Sequence, residues 1–183
     1  MDRSRAVPSH GAENWEYQLS GEPYRCTERV LNILRHFPYA AKAQYQSWQT
    51  GAGSRLEILA EASAQLRSLT EAGVVVKIPK LVDGHIASGP TVGAAATFAA
   101  FLKQRDRSYL ALEMEAAGVL QAVNEVGGTC QTAVLRGISD LADERKKELD
   151  KLKGGILRTY AMENVLSLLW SAMAVDVFPR GRP

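Results

Sequence analysis

The chain has few of the residues that build disulfide frameworks or metal sites. Its 183 residues include two cysteines, Cys26 and Cys130, and three histidines, His10, His36 and His85. Two cysteines are too few for a disulfide framework, and neither they nor the histidines show the spacing of a metal site. We therefore predict no metal ion, and a reducing, cytoplasmic location is the simplest inference.

Long apolar runs and a strong charge imbalance are also missing. No apolar stretch approaches the roughly 20 residues that span a bilayer, and the N-terminal residues lack the apolar core of a secretory signal. The formal net charge is +2 and the basic residues are scattered, so no basic stripe for nucleic acid is visible. We therefore expect neither a membrane nor a nucleic-acid partner.

Residues 15 to about 82 are polar and helical in pattern. RCTERVLNILRHF and SRLEILAEASAQLRSLTEAG place their apolar residues at helical spacing. Ser54 is the expected N-cap of the second helix and Gly73 its C-cap. VVVKI is a short β-branched run that fits a strand. The glycines of QTGAGSR could open an anion-binding helix N-terminus, but no apolar strand precedes them, so we interpret them as a linker capped by Ser54.

From about residue 83 strands and helices alternate. GHIASG, SYLALEM and TAVLRGIS are predicted strands, and TVGAAATFAAFLKQ, EAAGVLQAVNEVG and GILRTYAMENVLSLLWSAMAV are predicted helices. The strands are apolar without alternation, which is typical of a parallel sheet covered on both faces. We therefore predict an α/β fold, and we expect Trp170, in the terminal helix, to lie in the core.

Carboxylates follow two of the predicted strands. One strand leads into Glu113-Met114-Glu115, and another leads into Asp140. Parallel strands joined by right-handed crossovers end at the same edge of a sheet, where ligands bind. A carboxylate at that edge can accept two hydrogen bonds from a vicinal diol, and a buried, protonated one can donate to a leaving group.

Each of these residues also has a structural interpretation. Glu115 can stabilise a helix dipole, Asp140 can cap the following turn, and Arg136 can neutralise a neighbouring acid. The charged run at residues 143–153 is interpreted as a solvated face, with a phosphate-binding patch as the alternative. Because both carboxylate motifs fall at one predicted edge, we favour a functional site, although spacing alone names no reaction.

The motifs LALEMEAAGVLQAV and AVLRGISDLAD, with GHIASGPTV upstream, resemble the nucleoside phosphorylase superfamily. The resemblance is to its methylthioadenosine/adenosylhomocysteine nucleosidase branch in particular, and it covers roughly residues 83–175. It implies a three-layer α/β/α sandwich with a mostly parallel central sheet. It also implies a purine nucleosidase that cleaves the N-glycosidic bond of an adenosine-like nucleoside or nucleotide without a metal or an organic cofactor.

The resemblance implies roles for the residues that match its motifs. Asp140 matches the acid that protonates the departing purine, and Glu115 matches the glutamate that binds the ribose hydroxyls. Met114 matches the methionine on the sugar face, while Val92 and Gly93 fall where family members line the base. Three further residues match positions that support this site: Glu113, Arg136 and Ser139.

The first strands of the family, with their glycine-rich loop and water-activating glutamate, have no match that we can identify. The sequence therefore looks like the C-terminal two-thirds of such a domain: residues 1–14 are an expected flexible tail, 15–177 a partial domain and 178–183 a C-terminal tail. A sheet without its first strands would expose an edge, so we expect a homo-oligomer.

This departure leaves three explanations open. The chain is a piece of a longer protein, a truncated homologue with little catalysis, or a chain whose site a partner completes. A phosphorylase would need phosphate ligands from the unmatched part, so hydrolysis is the preferred reaction. The alternative function is a non-catalytic module, which binds a nucleoside or oligomerises within a larger signalling or defence protein.

Overall fold

The computed structural model describes residues 3–7, 16–20, 23–89, 96–127, 130–142 and 145–175. The chain forms two compact units, each drawn from three stretches of sequence. The sheet unit comprises Met1–Glu28, Asp83–Val134 and Asp140–Glu148, and the helical unit comprises Arg29–Val82, Leu135–Ser139 and Leu149–Pro183. The domain boundaries given above stay a prediction.

The secondary structure is mostly helical, with four short strands among the described residues. The elements in chain order are β1 (Arg3–Val7), β2 (Glu16–Ser20), α1 (Glu28–Ala40), α2 (Lys42–Glu61), α3 (Ala64–Glu71), β3 (His85–Ser88), α4 (Ala96–Arg105), β4 (Tyr109–Glu113), α5 (Ala116–Glu125), α6 (Lys146–Lys151) and α7 (Ile156–Ala174). A short 3-10 turn, Leu152–Gly154, precedes α7.

The break between α2 and α3 falls later in the chain than the sequence predicts. α2 begins at Lys42 and continues past Ser54, so the predicted cap at Ser54 is wrong. The same observation excludes an anion-binding helix start at Gly51 and Gly53, because both lie inside α2. The actual cap of α3 is Ser63, whose Oγ accepts a hydrogen bond from the backbone N–H of Leu66 at 3.3 Å.

The end of α3 is where the sequence predicts it. Gly73 has a left-handed φ of 71°, its N–H donates to the carbonyl of Thr70, and the N–H of Val74 donates to the carbonyl of Leu69. This pair of bonds is a Schellman motif, which favours glycine because a Cβ is strained at positive φ. The chain then bends through residues 74–78, so the predicted VVVKI strand is wrong.

Two apolar clusters form the core of the helical unit. Tyr45 stands edge-on to Phe37, with ring centroids 5.9 Å apart, and it packs against a cluster of Phe37, Trp48, Leu168 and Ala172. The second cluster joins α2, α3, α6, the 3-10 turn and α7 through Leu56, Leu66, Leu149, Leu152, Leu157 and Tyr160. Large, fully buried side chains from several helices therefore hold this unit together.

Polar side chains link α2 to α7 inside the same unit. Trp48 Nε1 donates to the carbonyl of Asn164 at 2.9 Å, and Arg55 Nη2 donates to Asn164 Oδ1 at 2.7 Å and to Ser167 Oγ at 3.1 Å. Asn164 is buried, so the bond from Arg55 satisfies a side-chain oxygen that would otherwise lose its hydration without compensation. Tyr160 completes the contact by donating to the carbonyl of Ala52.

The sheet unit contains the two predicted strands β3 and β4, which pair in parallel as expected. Ile86 lies opposite Ala111 and Ser88 opposite Glu113, with an irregularity after His85. Its described core cluster is small and comprises Ala87, Leu102 and Tyr109. Gly84 allows the two strands to approach, because a Cβ at this position would lie 2.4 Å from a methyl carbon of Leu110.

Two strands lie in the N-terminal part of the chain. β1 pairs with β2 antiparallel, with Arg3 opposite Ser20 and Val7 opposite Glu16. The predicted tail at 1–14 therefore contains a strand, and the region that reads as helical from residue 15 begins with another. The expected C-terminal tail at 178–183 lies outside the described residues.

The predicted third strand, TAVLRGIS, does not form, because residues 131–139 have no regular secondary structure. Within the helical unit, Leu135 packs against the cluster around Phe37. Gly137 passes so close to α7 that a Cβ there would lie 2.3 Å from the carbonyl oxygen of Ala161. Leu135 and Gly137 therefore contribute to helix packing, where a strand pairing was expected, while Ile138 is exposed.

The observed fold is a mixed α and β structure, rich in helices and containing a small parallel sheet. α7 confirms the predicted terminal helix. The expectation that Trp170 lies in the core is wrong, since 68% of its surface is exposed. Among the described residues, none of the helices has both the length and the apolar character needed to cross a bilayer.

Candidate functional site

The carboxyl ends of β3 and β4 hold the N-terminus of α5. Glu113 Oε2 accepts hydrogen bonds from the backbone N–H groups of Glu115 at 2.9 Å and Ala116 at 2.8 Å. Ser88 Oγ, which is completely buried, accepts from the N–H of Ala117 at 3.0 Å. These bonds satisfy three amides of the first helical turn, whose N–H groups have no partner within the helix.

This geometry explains why the apolar run of β4 ends in a charged residue. Glu113 is half-buried, and its negative charge lies at the positive end of the α5 dipole. The N–H of Gly89 also donates to the carbonyl of Glu113 at 3.1 Å, which extends the parallel pairing by one bond. Glu113 is therefore a positioning residue for the loop that carries Met114 and Glu115.

Met114 and Glu115 are exposed at this edge of the sheet. Glu115 occupies the N-cap position of α5, but its side chain makes no capping hydrogen bond. Its carbonyl accepts from the N–H of Gly118 at 3.2 Å. The side chain of Met114 is 45% exposed. Both side chains are accessible to a ligand, and Glu113 fixes the backbone on which they stand.

Asp140 also belongs to the sheet unit, and its side chain is only 10% exposed. Its Oδ1 accepts from the N–H of Ala142 at 2.9 Å, and its Oδ2 lies 3.2 Å from the ammonium of Lys146. The bond to Ala142 forms a turn in which Ala142 takes a left-handed φ of 54°. An N–H donor and an ammonium therefore both face the carboxylate for which the family resemblance implies proton transfer.

The remaining predicted site residues are placed differently. Arg136 is exposed and Ser139 is half-buried, and both belong to the helical unit. Val92 and Gly93 lie outside the described residues. Because 131–139 is not a strand, the argument that brought Asp140 to the edge of β4 by parallel pairing does not hold. The roles of all the predicted site residues stay predictions.

Two residues of this region were missed by the sequence reasoning. Ser88 stands in the GHIASG motif, where a polar residue at the end of a buried strand is the available signal. Lys146 stands in a charged run that was interpreted as a solvated face, and its contact with Asp140 spans a turn that no periodicity predicts. The available signal was a lysine that follows the aspartate by six residues, close enough in sequence for the two side chains to pair.

A second polar cluster lies at the opposite end of the parallel pair. Asp106 Oδ2 and Ser108 Oγ lie 2.9 and 2.7 Å from Nδ1 of His85, and Ser108 Oγ lies 2.6 Å from Asp106 Oδ1. The hydroxyl and the backbone N–H of Ser108 hold the pKa of Asp106 below its ordinary value, and His85 adds to this effect. Since the serine and the aspartate contact the same ring nitrogen, the cluster lacks the geometry of a nucleophilic triad.

The described residues contain no group of three or more His, Cys, Asp or Glu side chains that could hold a metal ion. A shallow hollow is lined by Lys103, Gln104 and Arg107, and these include none of the predicted site residues. In comparisons with known proteins, no family model, curated protein or solved structure matches the chain.

Proposed function

We propose that the chain cleaves the N-glycosidic bond of an adenosine-like nucleoside by hydrolysis, within a three-layer α/β/α sandwich of the nucleoside phosphorylase type. The proposal starts from the sequence resemblance over roughly residues 83–175. The observation that supports it best is the environment of Asp140. Its side chain is largely withdrawn from water, so a proton held there would be shielded from bulk solvent.

Asp140 acts as the general acid in this proposal. Breaking the bond between ribose and purine leaves negative charge on the base and positive charge on the ribose. A proton from Asp140 neutralises the base, water bonds to the ribose carbon, and the proton that this water releases restores Asp140. Between these two proton transfers, the ammonium of Lys146 and the N–H of Ala142 stabilise the Asp140 carboxylate. Lys146 is in this sense a positioning residue, because it acts through Asp140.

Glu115 holds the ribose through its 2′ and 3′ hydroxyls, and Met114 packs against the sugar. The accessibility of both side chains at the end of β4 supports these roles. The hydrogen bonds from the backbone of Glu115 and Ala116 to Glu113 orient the loop before a ligand arrives, so little ordering entropy is lost on binding. A negative charge beside the sugar also favours the cationic ring that forms as the base departs.

Release of free base from a panel of purine nucleosides and nucleotides, with and without phosphate, tests the proposal. The wild-type chain should release base without phosphate, and Asp140→Asn should lose at least about tenfold in kcat, or about 1.4 kcal/mol. Asp106→Asn is the matched control, because it changes a half-buried aspartate of the same unit that has no assigned role in the reaction, and it should leave kcat unchanged. Equal activity of wild type and Asp140→Asn would contradict the acid role.

A second candidate function is a nucleoside-binding module without catalysis. The exposure of Met114 and Glu115 favours it, because hydrolysis requires a site that excludes bulk water around the reacting bond. Equilibrium dialysis distinguishes the two candidates. The binding module is supported if neither the wild type nor Asp140→Asn releases base, while the wild type binds nucleoside and Glu115→Gln weakens that binding. If the wild type neither binds nucleoside nor releases base, both candidates are rejected.

A further inference from the structure

α7 carries a stripe of exposed apolar side chains along the face opposite its buried one. The stripe consists of Met162, Leu166, Trp170 and Met173, whose surfaces are 55%, 51%, 68% and 52% exposed. At 100° per residue these four positions fall within an arc of roughly 80°. The stripe is therefore continuous and about 16 Å long at a rise of 1.5 Å per residue.

The composition of the stripe is typical of an interface, and its extent is compatible with one. Four large side chains exposed to this degree present roughly 450 Å² of apolar surface, taking about 200 Å² for each complete side chain. This is the size of the largest apolar patch on a typical monomeric protein, and such patches are often functional. Tryptophan and methionine are also enriched at protein interfaces relative to the remaining surface.

The order of the side chains along the stripe allows two copies of it to fit each other. When a second α7 is laid antiparallel about a two-fold axis near Leu168, Met162 of each copy faces Met173 of the other. Leu166 then faces Trp170, so a smaller side chain meets a larger one at the centre. This is the arrangement that an isologous interface requires, since residue i contacts residue j and j contacts i.

A parallel pairing of two copies is less favourable for two reasons. It places Trp170 against its own copy, and it brings the exposed Glu163 beside the same carboxylate of the partner. The antiparallel pairing separates these charges and also opposes the two helix dipoles. Together with the half-buried Val165 and Leu169, two copies of the stripe reach the roughly 1,000 Å² that a specific interface needs.

We propose that the chain forms a two-fold dimer through antiparallel contact of the α7 stripes. The contact is independent of the proposed nucleosidase function, since it uses no residue assigned to that site. The proposed occupant of the stripe is a second copy of the same chain. A monomeric chain in the tests below would leave the stripe to a different protein partner and overturn the proposal.

Sedimentation equilibrium of the 183-residue chain tests the dimer. The wild type should be dimeric, and Trp170→Glu should raise the dimer dissociation constant about thirtyfold or more, as loss of a central tryptophan does. Ile58→Glu is the control, because Ile58 is 65% exposed on α2 and lies outside the stripe; it should leave the dissociation constant unchanged. A monomeric wild type, or a dimer that Trp170→Glu leaves intact, would overturn the proposal.

Thiol crosslinking tests the orientation with variants that keep Trp170. On a Cys26→Ser, Cys130→Ser background, a mixture of Met162→Cys and Met173→Cys chains should crosslink with a short reagent. Met162→Cys alone should not, because its two copies lie about 17 Å apart along the helix axis in the antiparallel dimer. Crosslinking of Met162→Cys alone, or failure of the mixture, would contradict the antiparallel contact even if Trp170→Glu fails to fold.

Discussion

The interactions that stabilise the helical unit internally differ in kind from those inside the sheet unit. In the helical unit, large apolar side chains such as Phe37, Leu56 and Leu66 are completely or almost completely buried between helices. In the sheet unit, the described apolar cluster has three members, and polar groups such as Ser88 and Glu113 tie strand to helix. The comparison indicates that removing a large apolar side chain should destabilise the helical unit most. Removing a single hydrogen-bonding group should destabilise the sheet unit most.

Phe37→Ala tests the first half of this comparison and should have the largest effect. Phe37 has no exposed surface and packs against Trp48, Leu168 and Ala172. Removing a buried phenyl ring costs about 3–5 kcal/mol through lost burial and the cavity left behind. Denaturant unfolding followed by circular dichroism measures the loss.

Tyr39→Ala is the matched control for Phe37→Ala, because Tyr39 lies on the same helix and is 83% exposed. It should change the free energy of unfolding by less than about 0.5 kcal/mol, as surface substitutions do. Equal losses for the two variants would show that side-chain burial does not determine the stability of this unit.

Ser88→Ala tests the second half of the comparison and should have an intermediate effect. The N–H of Ala117 would lose its acceptor in a buried position, which costs about 1–3 kcal/mol. Hydrogen exchange of the Ala117 amide should quicken, while the amides of α2 keep their protection. Ser54→Ala, at an exposed position inside α2, should leave both measurements unchanged.

Asp106→Asn should have the smallest effect and should be seen only in acid. The folded pKa of Asp106 lies below its ordinary value of 3.8 because Ser108 donates to its carboxylate. Its ionised form therefore stabilises the fold above that pH, and this contribution is lost as the pH falls through 3.8 to the lower folded pKa. In Asp106→Asn, the free energy of unfolding should fall less steeply over this window.

A control and a contrary outcome complete the acid experiment. Glu71→Gln removes an exposed carboxylate of the helical unit and should leave the slope attributed to Asp106 in place. If Asp106→Asn and wild type lose stability with the same slope, the contacts of Ser108 with Asp106 do not stabilise the folded state.

Local patterns predicted several elements of the fold correctly. β3, β4, α5 and α7 follow from apolar runs of suitable length, and Gly73 ends α3 where the sequence requires a left-handed residue. The pattern failed at TAVLRGIS, because an apolar run suits helix packing as well as it suits a strand. Which of the two it joins depends on partners far away in sequence, such as Phe37 and Ala161.

The candidate site was predictable only in part for the same reason. Resemblance singled out Glu113, Glu115 and Asp140, but it did not reveal that Glu113 caps α5 or that Lys146 faces Asp140. Those contacts depend on turns, whose direction is set by single residues such as Ala142 rather than by periodicity. The expectation that Trp170 lies in the core failed because α7 is apolar on nearly all sides, so its sequence does not say which side meets water.

Glu113 also decides which ligands can approach the beginning of α5. A helix N-terminus ordinarily attracts dissolved anions, but here Glu113 and Ser88 already occupy the first amides. An incoming phosphate would have to displace the Glu113 carboxylate, which is part of the chain and cannot diffuse away. It would also lie beside the negative charges of Glu113 and Glu115. The start of α5 is therefore a poor site for a dissolved anion, and within the proposed function this favours a nucleoside over its phosphorylated form.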